Sequence, residues 1–75
     1  MPRYYFDLVD DGQLHVDTEG TDLDDTEAAR IEATHALAEF ARDALPGVLS
    51  KHLTMRVRDD REWHFTLDLL LTTLS

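Results

Sequence analysis

The spacing of apolar residues changes twice along this chain of 75 residues, and this change constrains the fold more than any other feature. The first segment has the two-residue period of a strand, with alternating apolar residues at Tyr4, Phe6, Leu8, Leu14 and Val16. Asp11 and Gly12 interrupt it and predict a tight turn. Residues 3 to 17 are therefore predicted to form a hairpin with one apolar face.

The middle segment has the period of an amphipathic helix. On a helical wheel, one narrow arc holds Ala29, Ala33, Ala36, Leu37, Phe40 and Ala44. Asp24 and Glu27 are spaced as a capping box, and Asp25 is an alternative cap. The helix is predicted to end at Leu45, because Pro46 disfavours a helical predecessor.

The last segments return to the two-residue period. One strand is predicted from Leu53, Met55 and Val57, which alternate with polar residues. After a turn, a fourth strand is predicted to carry Trp63, Phe65, Leu67 and Leu69 on one face and His64, Thr66 and Asp68 on the other. The order ββαββ predicts an α+β fold, a two-layer sandwich in which one helix packs on one face of a four-stranded, mainly antiparallel sheet. Residues 1 to 75 are predicted to form a single domain with strand order 2-1-3-4.

Acidic residues concentrate in the first half of the chain. The formal net charge is −9, and residues 1 to 32 hold ten acids against Arg3 and Arg30, which gives −8 for that part. Such a charge disfavours direct binding of nucleic acid and is compatible with a basic protein partner. No stretch has the character of a signal peptide or a membrane span, so we expect a cytoplasmic protein without membrane contact.

The acidic stretch from residue 17 to 30, "DTEGTDLDDTEAAR", raises the question of a metal-binding loop. Neither Gly20 in this stretch nor Gly12 before it gives the ligand spacing of an EF-hand. Capping and solvation explain the acids of the first helical turn. The carboxylates of Asp17, Glu19 and Asp22 are not needed for capping, and they are candidates for an acidic docking surface.

Other chemical sites find little support in the sequence. His15, His52 and His64 are predicted to share the solvent-facing side of the sheet, but their spacing matches no ligand motif. The chain has no cysteine, no nucleophile elbow and no phosphate-binding glycine loop. We therefore expect no catalytic residue, metal or cofactor and no enzymatic activity, with metal or small-ligand binding on the open sheet face as a further alternative.

The segment "LDLLLTTL" near the end of the chain is unusually apolar. Because side chains alternate along a strand, Leu69, Leu70 and Leu71 cannot all face one core, so either Leu70 faces away from the helix or the strand bends. This cluster, completed by Leu74, predicts a homotypic interface. The leading hypothesis is a non-enzymatic acidic protein-interaction domain that forms a homodimer. The alternative is an antitoxin-like or nucleic-acid-mimicking regulator that binds a basic protein.

Several short motifs carry a family resemblance. The stretches "MPRYYF", "DG", "DTEG", "LDD" and "EAARIEA" resemble a small alphaproteobacterial family, domain of unknown function 6894, over most of the chain. The second half follows the family plan more loosely, and the turn "RDDRE" lacks the expected glycine. The resemblance implies a bacterial ββαββ domain without an assigned activity.

Overall fold

A computed structural model describes residues 1–44 and 50–74. Its elements are, in chain order, β1 (Arg3–Asp10), β2 (Gln13–His15), β3 (Thr21–Asp22), α1 (Thr26–Ala44), β4 (Ser50–Arg58) and β5 (Trp63–Thr72). The predicted ββαββ plan and the α+β class are confirmed, and β3 is an additional short strand that no apolar alternation announces. The predicted helix end at Leu45 and Pro46 lies outside the described residues.

All strand pairs of the sheet are antiparallel. The order is β2-β1-β4-β5, with β3 pairing to the part of β1 that β2 leaves free. The predicted order 2-1-3-4 is therefore confirmed, since β4 and β5 are the third and fourth strands of that plan. The helix covers one side of the sheet, which we call the helix face, and the opposite side is the open face.

The core lies between α1 and the helix face. Its buried apolar residues are Tyr4, Leu8, Ala29, Ala33, Leu37, Ala41, Leu53, Met55 and Val57. The helix contributes every fourth residue, mostly alanine, and small side chains allow its backbone to lie close to β4. Phe40, predicted for the core, is exposed instead, because the contact stripe passes through the next residue, Ala41.

The helix begins one residue later than the capping-box prediction requires. Asp25 Oδ1 accepts a hydrogen bond from the Ala28 N–H at 2.8 Å, which makes Asp25 the N-cap. The alternative cap is thus confirmed, and the capping box of Asp24 and Glu27 is wrong. Glu27 pairs with Arg30 one turn further along the helix.

The first hairpin turns in two residues, and this sets the direction of its side chains. Asp11 and Gly12 both have positive φ, at 47° and 90°. Leu14 consequently lies opposite Val9 and faces the open side, whereas Leu8 belongs to the core. The prediction of one apolar hairpin face is therefore wrong for Leu14, and Leu14 and Val16 are both exposed.

A β-bulge changes the direction of two side chains at the start of β5. Val57 pairs with Phe65, but Arg58 pairs with Trp63, so His64 is an extra residue in the ladder. The predicted alternation is wrong there, because Trp63 lies on the open face beside Arg58. His64 instead lies with Tyr4, at 5.4 Å between ring centroids.

Candidate interaction surface

The outer edge of β5 is the longest strand edge of the described sheet. β5 has ten residues, and among the described strands it pairs only with β4. An edge strand presents unpaired backbone N–H and C=O groups, which can pair with another strand. The β5 edge therefore has the backbone chemistry needed for strand addition.

The leucines of β5 divide between the two faces as a regular strand requires. Leu69 and Leu71 pack against the core on the helix face. Leu70 points to the open face and is 68% exposed. Leu74, which follows the strand, is also exposed. The apolar surface available to a partner is therefore Leu70 and Leu74, whereas Leu69 and Leu71 serve the fold.

The β5 edge carries little charge. Its one carboxylate, Asp68, lies on the open face and accepts hydrogen bonds from Thr54 Oγ1 at 2.6 Å and from His52 Nε2 at 2.7 Å. These contacts lower the pKa of Asp68, because they stabilise the ionised form. Natural edges are commonly protected by lysine, proline or inward charge. The stretch 63–72 has neither lysine nor proline, and its aspartate already pairs with β4.

The opposite edge of the sheet is interrupted and then closed by Asp17. Between β2 and β3 the chain leaves β1, and Asp17 Oδ2 accepts a hydrogen bond from the Phe6 N–H at 3.0 Å. Asp17 Oδ1 accepts from the N–H groups of Glu19 and Gly20, each at 3.0 Å. Burial raises the pKa of this carboxyl, but the three N–H donors together outweigh that effect, so the pKa of Asp17 is lowered. The Asp17 carboxylate thus takes the place of the backbone carbonyl that a continuous neighbouring strand would offer to the Phe6 N–H.

The other two candidates for the acidic docking surface lie beside Asp17. Asp22 forms an ion pair with Arg3 at 3.0 Å, and the hydrogen bond from Arg3 lowers the pKa of Asp22. The Arg3 side chain passes so close to Gly20 that a Cβ there would lie 2.7 Å from Arg3 Cγ. Glu19 is exposed, and no side-chain partner for it is found in residues 1–44 and 50–74. Two of the three predicted carboxylates therefore hold the loop together.

A buried carboxylate on the open face was not anticipated from the sequence. Asp7 is only 9% exposed, and its Oδ2 accepts a hydrogen bond from Arg58 Nε at 2.8 Å. The Asp17 N–H donates to Asp7 Oδ1 at 2.9 Å. The Arg58 guanidinium also lies 4.4 Å from the centre of the Tyr5 ring. The signal in the sequence was weak, because an aspartate in a strand normally indicates a solvent-facing position.

The histidines do not converge, so the predicted shared face is wrong. His52 lies on the open face beside Asp68. His15 pairs with Leu8 and therefore lies on the helix face, where the two-residue turn places it. The bulge moves His64 to the helix face as well, where its Nε2 is 2.9 Å from Asp59 Oδ2.

The turn between β4 and β5 forms without glycine because Asp59 holds it. Asp59 Oδ1 accepts from the N–H groups of Arg61 at 2.7 Å and Glu62 at 2.8 Å. These two donors, together with His64, lower the pKa of Asp59 to about 2. The Glu62 carboxylate lies close by, so that Asp59, Glu62 and His64 each offer an atom within 4.8 Å of the others. This cluster was not predicted from the sequence.

Fold and surface together describe a small α+β domain with one covered and one open sheet face. Residues 3–65 match the family described as Domain of unknown function (DUF6894), so the chain belongs to that family. The family description assigns no enzymatic activity. No curated protein and no solved structure is significantly similar to the chain. In the part of the chain that the structure describes, no helix is long and apolar enough to cross a membrane.

Proposed function

We propose that this chain is a non-enzymatic protein-interaction domain that forms a homodimer by antiparallel pairing of two β5 strands. The observation that carries the proposal is the ten-residue β5 edge, with Leu70 exposed beside it. Pairing would satisfy the backbone groups of both edges and cover both copies of Leu70. The result is one continuous sheet with a twofold axis at its centre.

The side chains of β5 favour a particular register. A twofold axis at Leu70 places the two copies of Leu70 opposite each other. It also places Asp68 of one copy opposite Thr72 of the second copy, so that like charges do not meet. A chain of this size buries only about 60% of the surface that its unfolded form exposes, so additional burial at the dimer interface is of real value to its stability.

The negative charge of the domain bears on the kind of partner that it can bind. A formal charge of −9 opposes direct contact with nucleic acid and favours partners that are neutral or basic. Asp7, Asp17 and Asp22 have intramolecular partners. The first half of the chain therefore offers fewer carboxylates to an external partner than its number of acids suggests. A cytoplasmic location and an alphaproteobacterial source belong to the proposal and rest on the sequence alone.

The experiment is sedimentation equilibrium on the wild type and on Leu70→Lys, with far-UV circular dichroism to report folding. We expect a dimer that Leu70→Lys converts to monomer with an unchanged spectrum, because the charge would meet its symmetry mate. The matched control is Ile31→Lys, an exposed apolar residue on α1 at 48% exposure, which should leave the dimer intact. A wild type that stays monomeric at high micromolar concentration would refute the proposal.

A further inference from the structure

The turn between β4 and β5 gathers three side chains that bind transition metals. Asp59 and Glu62 supply carboxylate oxygens, and His64 supplies an imidazole nitrogen. The three atoms lie within 4.8 Å of one another. Imidazole together with carboxylate is a ligand set that suits zinc and similar divalent ions.

Backbone hydrogen bonds and a core contact hold two of these side chains in place. The backbone N–H groups of Arg61 and Glu62 fix Asp59 Oδ1, which leaves Oδ2 directed toward His64. His64 is half-buried and its ring lies against Tyr4, a core residue. A preorganised pair of ligands reduces the conformational entropy lost on metal binding.

The β-bulge is what makes this arrangement possible. In a regular ladder, His64 would follow the alternation of β5 and point to the open face. The register shift at Arg58 makes His64 an extra residue and turns it to the side of Asp59. Bulges commonly direct a side chain for function and are not defects of the sheet.

The distances fit a metal ion after a small adjustment. Zinc lies about 2.0 to 2.2 Å from nitrogen and oxygen ligands, so two ligands in a tetrahedral site lie roughly 3.3 Å apart. His64 Nε2 and Asp59 Oδ2 are 2.9 Å apart, joined by a hydrogen bond. The ion would replace the hydrogen of this bond, with His64 in its Nδ1–H tautomer. Glu62 is exposed and can rotate toward the pair.

We propose that Asp59, Glu62 and His64 form a binding site for a divalent transition metal of the zinc class. Three protein ligands leave a fourth position for water or for a donor atom of a partner. The site lies in a surface turn, and the core packs without it, so the domain folds with or without the metal. Metal binding at this turn does not depend on the β5 homodimer.

A second histidine and aspartate pair in the same sheet provides a matched control. His52 Nε2 lies 2.7 Å from Asp68 Oδ1, similar to the distance at the turn. Asp68 there also accepts from Thr54, and no third ligand group joins that pair among the residues described. If a histidine and aspartate pair were sufficient for binding, both places would bind metal. If the third ligand is needed, only the turn would bind.

The test is isothermal titration of chelator-treated protein with zinc chloride, accompanied by the visible absorption of the cobalt(II) form. We expect one ion per chain and a cobalt spectrum of low coordination number. Glu62→Gln should weaken binding about tenfold or more, because it removes an anionic ligand. His64→Gln should weaken it as well, and His52→Gln should bind as the wild type does.

Glu62→Gln is the deciding variant, because Glu62 is exposed and its replacement leaves the core contacts intact. Circular dichroism of each variant confirms that the fold is retained. Binding to Glu62→Gln with wild-type affinity would overturn the proposal, since the metal would then bind elsewhere. A wild type that takes up no zinc at a tenfold excess over protein would overturn it too.

Discussion

The two edges of this sheet differ in length, charge and hydrogen bonding. On one side, β2 and β3 have three and two residues, with a loop between them that Asp17 ties to β1. On the other side, β5 runs for ten residues and carries Leu70 on its exposed surface. Short strands, bends and charged side chains at an edge disfavour pairing with another chain, whereas a long apolar edge favours it.

In a fold with a small core, acidic residues can stabilise a sheet edge through hydrogen bonds and ion pairs. Asp17 occupies the gap between two short strands and accepts three backbone hydrogen bonds, while Asp22 fixes Arg3 beside it. The carboxylates therefore complete the β2 and β3 edge. At the β5 edge, Asp68 pairs with side chains of β4, and among the described strands only β4 pairs with β5.

The largest effect is expected at the protected edge. Asp17→Ala removes the common acceptor of the N–H groups of Phe6, Glu19 and Gly20. Hydrogen bonds to charged groups contribute about 1.5 to 3 kcal/mol each, and they are not additive here, so we expect a loss of about 3 kcal/mol in the free energy of unfolding. Urea unfolding followed by circular dichroism measures it.

Glu19→Ala is the control for this prediction, because it removes a neighbouring acid that is exposed. Its effect should stay within about 0.5 kcal/mol. Equal losses for Glu19→Ala and Asp17→Ala would show that overall charge matters and that the hydrogen bonds of Asp17 do not. The contrast between the two edges would then lose its physical basis.

At the β5 edge, two adjacent leucines should behave differently. Leu69 packs against the core, so Leu69→Ala should lower the free energy of unfolding by about 2 kcal/mol. Leu70 faces solvent, and Leu70→Ala should cost the monomer less than about 0.5 kcal/mol while weakening the dimer. Unfolding at low protein concentration gives the first quantity, and sedimentation gives the second. Similar losses of stability for both variants would contradict the described direction of β5.

The fold was largely predictable because it depends on periodicity. The alternation of apolar residues located four strands, and the helical arc located α1, so the sheet order followed from short antiparallel connections. The same reasoning predicted that Leu70 would face away from Leu69. These features depend on many residues at once, and a single exception does not change them.

Details that depend on one residue were less predictable. A two-residue turn reversed the direction expected for Leu14, and one bulge exchanged the faces of Trp63 and His64. Both events shift the pairing by a single residue, and such a shift moves side chains to the other face. The roles of Asp17 and Asp59 were missed for a related reason, since an aspartate that accepts backbone hydrogen bonds looks in sequence like one that is merely solvated.

The smallest predicted effect on stability concerns Asp59. Its carboxylate, like that of Asp17, accepts hydrogen bonds from backbone N–H groups, but in a more exposed turn. Its pKa is about 2, below the ordinary aspartate value of 3.8, because two backbone N–H groups and His64 stabilise the anion. Between pH 4 and pH 2 the unfolded chain therefore binds more protons at this position than the folded chain does. The contribution of Asp59 to stability is present above pH 4 and is lost as the pH falls through 2.

Carbon-13 NMR of the aspartate carboxyl groups, in the presence of a chelator, should show Asp59 titrating with a midpoint near 2. Asp59→Asn keeps one side-chain oxygen for the N–H groups of Arg61 and Glu62 but cannot ionise. Its stability should therefore fall less steeply than that of the wild type between pH 4 and pH 2. A midpoint near 4 for Asp59 would mean that the turn does not hold its carboxylate in solution.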